Sequence, residues 1–266
     1  MTSKSKIDYK ITEEDFENLL KLKQKLLSDC KRCDGEGILE VDSSEKSGWI
    51  GSRECKCMKK FHKLKEYYKA RIPSTYWRVT EKNFYGDKKA LKVVQKFMDN
   101  LENGIENGLG MLLWGTNGNG KTSLAIIALK YAITEGHTGY YITLQGLLNL
   151  IMHSFSDEKQ KEDIRKIFTD VDFLVLDEIG KEHIKKNSSG SVFGISEIEE
   201  IIRIREGKKK STWMLSNFKP QQIEARYGLS LASLMSGVMK TIEVIGVDVR
   251  RTIKQSSWEQ ILRKGK

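Results

Sequence analysis

The feature that most constrains this chain is the run Gly115-Thr116-Asn117-Gly118-Asn119-Gly120-Lys121-Thr122, which follows the apolar segment Gly110-Met111-Leu112-Leu113-Trp114 without a break. Its pattern is G-x4-G-K-T with no mismatch, and Ser123 and an apolar stretch (Leu124, Ala125, Ile127, Ala128, Tyr131, Ala132) come directly after it. A buried strand, a glycine loop and a helix in that order are the context this motif requires. The glycines let successive backbone N–H groups wrap a phosphate at the positive end of the helix. Residues 115–123 are therefore the expected nucleotide-binding segment. Lys121 is expected to reach the β- and γ-phosphates, and Thr122 to offer its hydroxyl to Mg²⁺.

A second apolar run, Phe173-Leu174-Val175-Leu176, ends in Asp177-Glu178, 56 residues after Lys121. Asp177 at a strand end suits Mg²⁺, directly or through its water. Glu178 just beyond it suits a base that orients and deprotonates an attacking water. Residues 211–217, Ser-Thr-Trp-Met-Leu-Ser-Asn, read as a further buried strand whose last residue, Asn217, is placed to sense the γ-phosphate or to position the water. Residues 138–143 and 240–245 complete a set of five short strands alternating with helical stretches. That alternation predicts an α/β fold, a doubly wound parallel sheet of about five strands with nucleotide at the strand C-termini.

The chain has 266 residues, 39% of them apolar, 31% charged and only 2 of them proline, which excludes a disordered chain or a proline-rich stalk. No apolar run approaches the ~18 residues of a membrane span, and the first ten residues lack the apolar centre of a secretory signal. The expectation is a cytoplasmic protein with no membrane contact. The net charge is +10, and a basic end (Arg250, Arg251, Lys254, Arg263, Lys264, Lys266) contributes disproportionately. Such an end suits phosphate contacts equally well as a solvated helix.

All 4 cysteines fall early, as Cys30-x2-Cys33, then 21 residues, then Cys55-x-Cys57. Thiolates at this spacing can converge on one tetrahedral ion. Gly35 and Gly37 supply the turn, while Lys31, Arg32, Arg53 and Lys56 offset thiolate charge. The alternative, disulfides, is disfavoured in a reducing compartment. Four protein ligands would make the zinc site closed and structural. Thr12 to Asp15 reads as a helix start followed by an apolar stripe of Phe16, Leu19, Leu20, Leu26 and Leu27. A second stripe, Phe61, Leu64, Tyr67 and Tyr68, follows the cysteines. Each stripe suits internal packing or docking of a partner protein. Arg71-Ile72-Pro73-Ser74-Thr75 breaks the second helix, which predicts two domains: a small helical zinc-binding domain over 1–72, and a nucleotide-binding domain over 73–266.

From about residue 72 to 251, the order of these motifs resembles the AAA+ ATPases of the DnaC/DnaI helicase-loader and IstB transposition-helper family. The residues that carry the resemblance are 115–122, Leu176-Asp177-Glu178-Ile179-Gly180 and residues 212–217, with the lead-in Arg71-Ile72-Pro73-Ser74-Thr75-Tyr76. The resemblance implies a P-loop AAA+ fold and Mg²⁺-dependent ATP hydrolysis in a bacterial or phage-infected cell. It also implies a small N-terminal domain, here residues 1–70, that holds a replicative helicase hexamer. The ATPase domain would engage single-stranded DNA, with self-assembly an open alternative. By the same resemblance Asn217 looks like sensor 1, and Arg250 like the sensor 2 arginine. The chain departs from the family where an arginine finger is expected: residues 232–235 are Ala-Ser-Leu-Met. Arg203, Arg205 and Arg226 are the possible substitutes, or else solvated helix residues. The transposition-helper alternative is an adaptor assembling on duplex DNA, with the basic C-terminal residues and Lys208, Lys209 and Lys210 lining its groove.

Overall fold

A computed structural model describes residues 12–42, 50–154, 157–182 and 193–248. The chain divides into two compact units, the first ending at Trp77 and the second beginning at Arg78. Among the described residues, no helix is long and apolar enough to cross a membrane.

In the first unit, helix α1 (Glu13–Ser28) is launched by a reciprocal cap. The Thr12 hydroxyl accepts from the Asp15 N–H (3.1 Å), and the Asp15 carboxylate accepts from the Thr12 N–H (3.0 Å). Leu19 is buried, but Phe16 and Leu20 stand 65% and 46% exposed, so the expected stripe does not pack inward as a whole. The inward position belongs to Asp15. Arg71 grips it with two N–H···O bonds of 2.7 and 2.8 Å, and the Tyr68 hydroxyl donates at 3.0 Å. Strands β1 (Ile38–Asp42) and β2 (Ile50–Glu54) form an antiparallel hairpin, and helix α2 (Lys56–Lys69) follows. The two expected helices are thus joined by a hairpin that the sequence reading did not include. Its strands, ILEVD and IGSRE, lack the unbroken apolar run that marks a buried strand in sequence. The break after α2 lies where the sequence places it, at Arg71, whose φ of 56° ends the helix.

The second unit opens with helices α3 (Lys88–Asp99) and α4 (Leu101–Glu106). It continues as β3 (Gly110–Trp114), α5 (Lys121–Thr134), β4 (Gly139–Thr143), α6 (Leu144–His153), α7 (Glu158–Asp170) and β5 (Phe173–Ile179). The last elements are α8 (Phe193–Gly207), β6 (Ser211–Ser216), α9 (Pro220–Tyr227), α10 (Leu229–Val238) and β7 (Met239–Glu243). The five strands expected form one parallel sheet in the order β4-β5-β6-β3-β7. Because β3 lies inside the sheet, the chain must leave it through α5 and cross to the far edge at β4. That change of direction leaves a crevice beside the C-terminal end of β3, where ligands of open α/β sheets sit. β5 and β6 are buried almost throughout, which explains their apolar runs. Helix α5 is apolar nearly all round because it too is covered, with Leu124, Ala125, Ile126, Ala128, Leu129 and Ala132 at 0% exposure.

Arg205 is fully buried under the sheet. Its guanidinium donates to the carbonyls of Phe168, Val171 and Ser211 (2.6–2.8 Å) and to the Thr212 hydroxyl at 2.8 Å. Burial pulls its pKa down to about 9, with Asp172 and Asp170 opposing, so it remains charged at neutral pH. It ties the end of α7 to the start of β6 and is not a candidate trans-acting arginine.

Two stability predictions follow from these anchors. Arg205→Leu strands three buried carbonyls and is expected to destabilise the second unit by about 3 kcal/mol or more; a thermal unfolding curve coincident with wild type would contradict this. Arg71, by hydrogen bonding first and charge second, holds the Asp15 carboxyl far below its ordinary value. A folded-state value below the unfolded value of ~3.9 gives stability that is complete above about pH 4 and lost as pH falls through that range. Asp15→Asn should therefore flatten the acid limb of unfolding free energy against pH.

Candidate functional site

The site is assembled at the C-terminal ends of β3, β4, β5 and β6. β3 delivers the loop 115–120, and α5 begins at Lys121. Gly120 caps the helix with φ 98°, a left-handed conformation that a side chain would strain. Here the exposed N–H groups of the helix start face the loop interior. The Gly115 N–H donates to Ser216 O at 3.2 Å, which joins the loop to the end of β6. Lys121 is buried, and its ammonium donates to the carbonyls of Gly115 (2.8 Å) and Thr116 (2.7 Å) and to Asn119 Oδ1 (3.1 Å). The loop therefore curls around its own lysine, with Thr116 and Asn117 at the exposed crest. Asn119 is 1% exposed and donates to Val244 O beyond β7.

Asp177 is 7% exposed and sits where three elements converge. Its Oδ2 accepts from the Thr122 hydroxyl (2.8 Å) and from the Tyr141 hydroxyl of β4 (2.8 Å). Its Oδ1 accepts from the Glu178 N–H at 2.7 Å. A hydroxyl and a carboxylate in contact, beside a phosphate-type loop, form an oxygen donor pair suited to a hard divalent cation. Glu178 has a left-handed φ of 61°, at the register shift between Leu176 and Ile179 where β5 pairs with β6. The shift turns consecutive carboxylates to different surroundings: Asp177 inward, Glu178 46% exposed and paired with Lys181 at 3.0 Å. Strain of this kind at a site residue is held by the structure around it. Asn217 is half-buried, one residue past the end of β6, beside the Ser216 carbonyl that receives Gly115. Ser123 is half-buried in the first turn of α5. Arg250 lies outside the described residues.

The structure thus brings Lys121, Thr122, Asp177 and Glu178 to one end of the sheet, with Asn217 beside them. Sequence reasoning missed Tyr141, whose signal was a polar tip on a residue of the half-buried edge strand β4. It also missed the closure of the loop by the segment after β7. Arg203 is paired with Glu199 (2.6 Å) and Arg226 with Glu182 (3.0 Å), each on a helix face. The lysines assigned to a duplex-lining groove are engaged elsewhere: Lys208 pairs with Asp170 (2.6 Å) and Lys210 with Asp172 (2.7 Å). Both pairs lie at the opposite end of the strands, where β5 and β6 begin.

In the first unit the four cysteines meet. Their sulfurs all lie within 4.8 Å of one another, with Cys30–Cys55 at 3.7 Å and Cys33–Cys57 at 3.5 Å. A tetrahedron with ~2.3 Å zinc–sulfur bonds has edges of about 3.8 Å, so the donor set fits zinc. The Gly37 N–H donates to Cys33 Sγ at 3.2 Å, the type of outer contact that orients a thiolate ligand. With no cation beside it, burial first and the neighbouring thiols next push Cys57 up to about 12. A bound dication reverses that preference.

Fold and site together place a G-x4-G-K-T loop at the C-terminal end of an inner strand in a five-stranded parallel α/β sheet. Residues 69–221 match the family described as IstB-like ATP binding protein, and the chain belongs to that family. It is 31% identical over 99 residues to an insertion-sequence ATP-binding protein of Geobacillus stearothermophilus, covering 37% of this chain and 36% of that protein. It is 26% identical over 152 residues to the replicative helicase loader DnaC of Buchnera aphidicola, covering 55% and 58%. The chain thus spans between a third and three-fifths of the length of these relatives. The crystal structure of a DnaC helicase loader superposes with a TM-score of 0.56 at 22% identity, over 65% of this chain and 99% of that one. The likeness at that identity is one of fold.

The cysteine geometry yields a direct prediction. The purified full chain should carry one zinc per chain, and Cys33→Ser or Cys57→Ser should lose it and loosen the first unit to proteolysis. Metal-free protein with the same protease resistance would contradict the assignment.

Proposed function

We propose that the chain is an ATP-dependent loader that places a replicative DNA helicase on single-stranded DNA. The observation that carries this reading is the pairing of an AAA+ core with a separate four-cysteine unit ahead of it. Membership of a family whose relatives include a helicase loader supports it. In this reading residues 115–123 bind ATP, Lys121 contacts the β- and γ-phosphates, and Thr122 with Asp177 holds Mg²⁺. Glu178 orients the attacking water, Asn217 and Arg250 sense the γ-phosphate, and Cys30, Cys33, Cys55 and Cys57 hold a structural zinc. Residues 1–70 dock the helicase.

Hydrolysis by the isolated chain should be slow. Helix α10 offers no arginine at residues 232–235, Arg205 is buried, and Arg203 and Arg226 are tied into ion pairs. A trans-acting arginine accelerates phosphoryl transfer by about 10³ or more, so a partner supplying one would set the rate.

The match to an insertion-sequence ATP-binding protein favours a second reading, a transposition adaptor that assembles on duplex DNA. Two of the lysines that reading would use, Lys208 and Lys210, are engaged in ion pairs with Asp170 and Asp172. One measurement tests the shared site and a second separates the two readings. Lys121→Ala should abolish ATP binding, and unchanged affinity would refute the site. The full chain should capture its host's replicative helicase in size-exclusion light scattering, while a chain lacking residues 1–70 should bind ATP but not helicase. Absence of capture together with ATP-dependent assembly on duplex DNA would overturn the loader reading in favour of the adaptor.

A further inference from the structure

The segment after β7 closes over the nucleotide loop. The Val244 N–H donates to Trp114 O at 2.8 Å, and Val244 O receives the Asn119 amide, so the segment is laced to both the strand and the loop. The Ile245 N–H donates to Asp87 Oδ2 at 2.9 Å, which anchors it from the α3 side. A Cβ at Gly246 would stand 3.7 Å from Asn119 Cβ, so the segment runs beside the loop there. The path ends with Asp248 laid against Gly118, in the middle of the loop. A Cβ at Gly118 would fall 1.9 Å from Asp248 Oδ1 and 2.7 Å from Oδ2, so only glycine there admits the carboxylate. An acidic group is thus pressed onto a loop whose chemistry is built for anions, and it arrives on a tether of three backbone or side-chain hydrogen bonds.

We propose that Asp248 is a gate on the nucleotide site: its carboxylate competes with the nucleotide phosphates for the loop and must swing away when ATP binds. The inference rests on the reading of residues 115–122 as the ATP site. Two physical effects act together. The side chain occupies space beside Gly118, and its negative charge repels a polyphosphate a few ångströms away in a site of reduced dielectric. Displacing Asp248 also strains the hydrogen bonds that hold residues 244 and 245 to the loop, β3 and α3. Nucleotide binding and the position of the C-terminal segment are therefore linked, and each shifts the other by the same factor.

The test is equilibrium binding of Mg·ATP and Mg·ADP to the full chain carrying Asp248→Asn or Asp248→Ala, with Lys121→Ala added to each. If charge gates the loop, both single variants bind ATP more tightly, by about tenfold or more, and the gain shrinks as salt is raised. If bulk alone gates it, only Asp248→Ala gains. Either pattern supports the gate. Unchanged or weaker binding in both variants overturns it, because Asp248 would then be a structural or supporting residue of the site. Loss of binding on adding Lys121→Ala keeps the loop as the nucleotide site whichever way Asp248 behaves. Persistence of binding there would instead refute the site reading itself.

Discussion

The Thr122 hydroxyl and the Asp177 carboxylate meet at 2.8 Å, and the arrangement of the second unit is what makes that meeting possible. Thr122 stands in the first turn of α5, Asp177 near the end of β5, and the two strands involved are separated by β6. The pair aligns only because the parallel registers are fixed, with Leu113 beside Leu215 and Leu176 beside Met214. A one-residue slip in either ladder would turn Asp177 to the opposite face. Tyr141 on β4 reaches the same carboxylate oxygen, so two strands and helix α5 contribute to the geometry around one atom. The buried core, including Arg205 with its carbonyls, serves to hold that registration.

The first unit solves a different problem. A segment of this size buries too little apolar surface to be secure by packing alone. Its interior is built around sulfur, with Cys33, Cys55 and Cys57 buried together and Leu27, Leu39 and Met58 packed on them. The bidentate Arg71–Asp15 pair then joins the end of the unit to its first helix. Metal binding in such a unit contributes to folding itself. The unit's outer surface, including exposed Phe16 and Leu20, is left available for other tasks.

Much of this was legible in sequence because the decisive residues obey local rules. The phosphate loop needs glycines at fixed spacing, buried parallel strands need unbroken apolar runs, and the cap at Thr12 needs a carboxylate three residues on. Those rules place all five strands, the loop and the Asp177–Glu178 pair. What escaped depends on contacts distant in the chain. The bulge that turns Glu178 outward arises from pairing with β6, and no property of Glu178 itself announces it. Arg205 reads as one basic residue among several on a helix until the fold places four acceptors around it. Tyr141, Asn119 and Asp248 take their roles from partners 36, 125 and 130 positions away. The hairpin of β1 and β2 was missed because its strands are interrupted by charged and small residues and so carry no buried-strand run.

The central claim is that Thr122 and Asp177 form the cation-holding half of a nucleotide site whose other half is the loop 115–121. The most direct measurement is the affinity for ATP with and without Mg²⁺, in the full chain and in Asp177→Asn. The account predicts that Mg²⁺ tightens ATP binding to the native chain by about tenfold or more, some 1.4 kcal/mol, and that Asp177→Asn removes this gain while still binding nucleotide through the loop. An Mg²⁺ dependence that is the same in both proteins would contradict it.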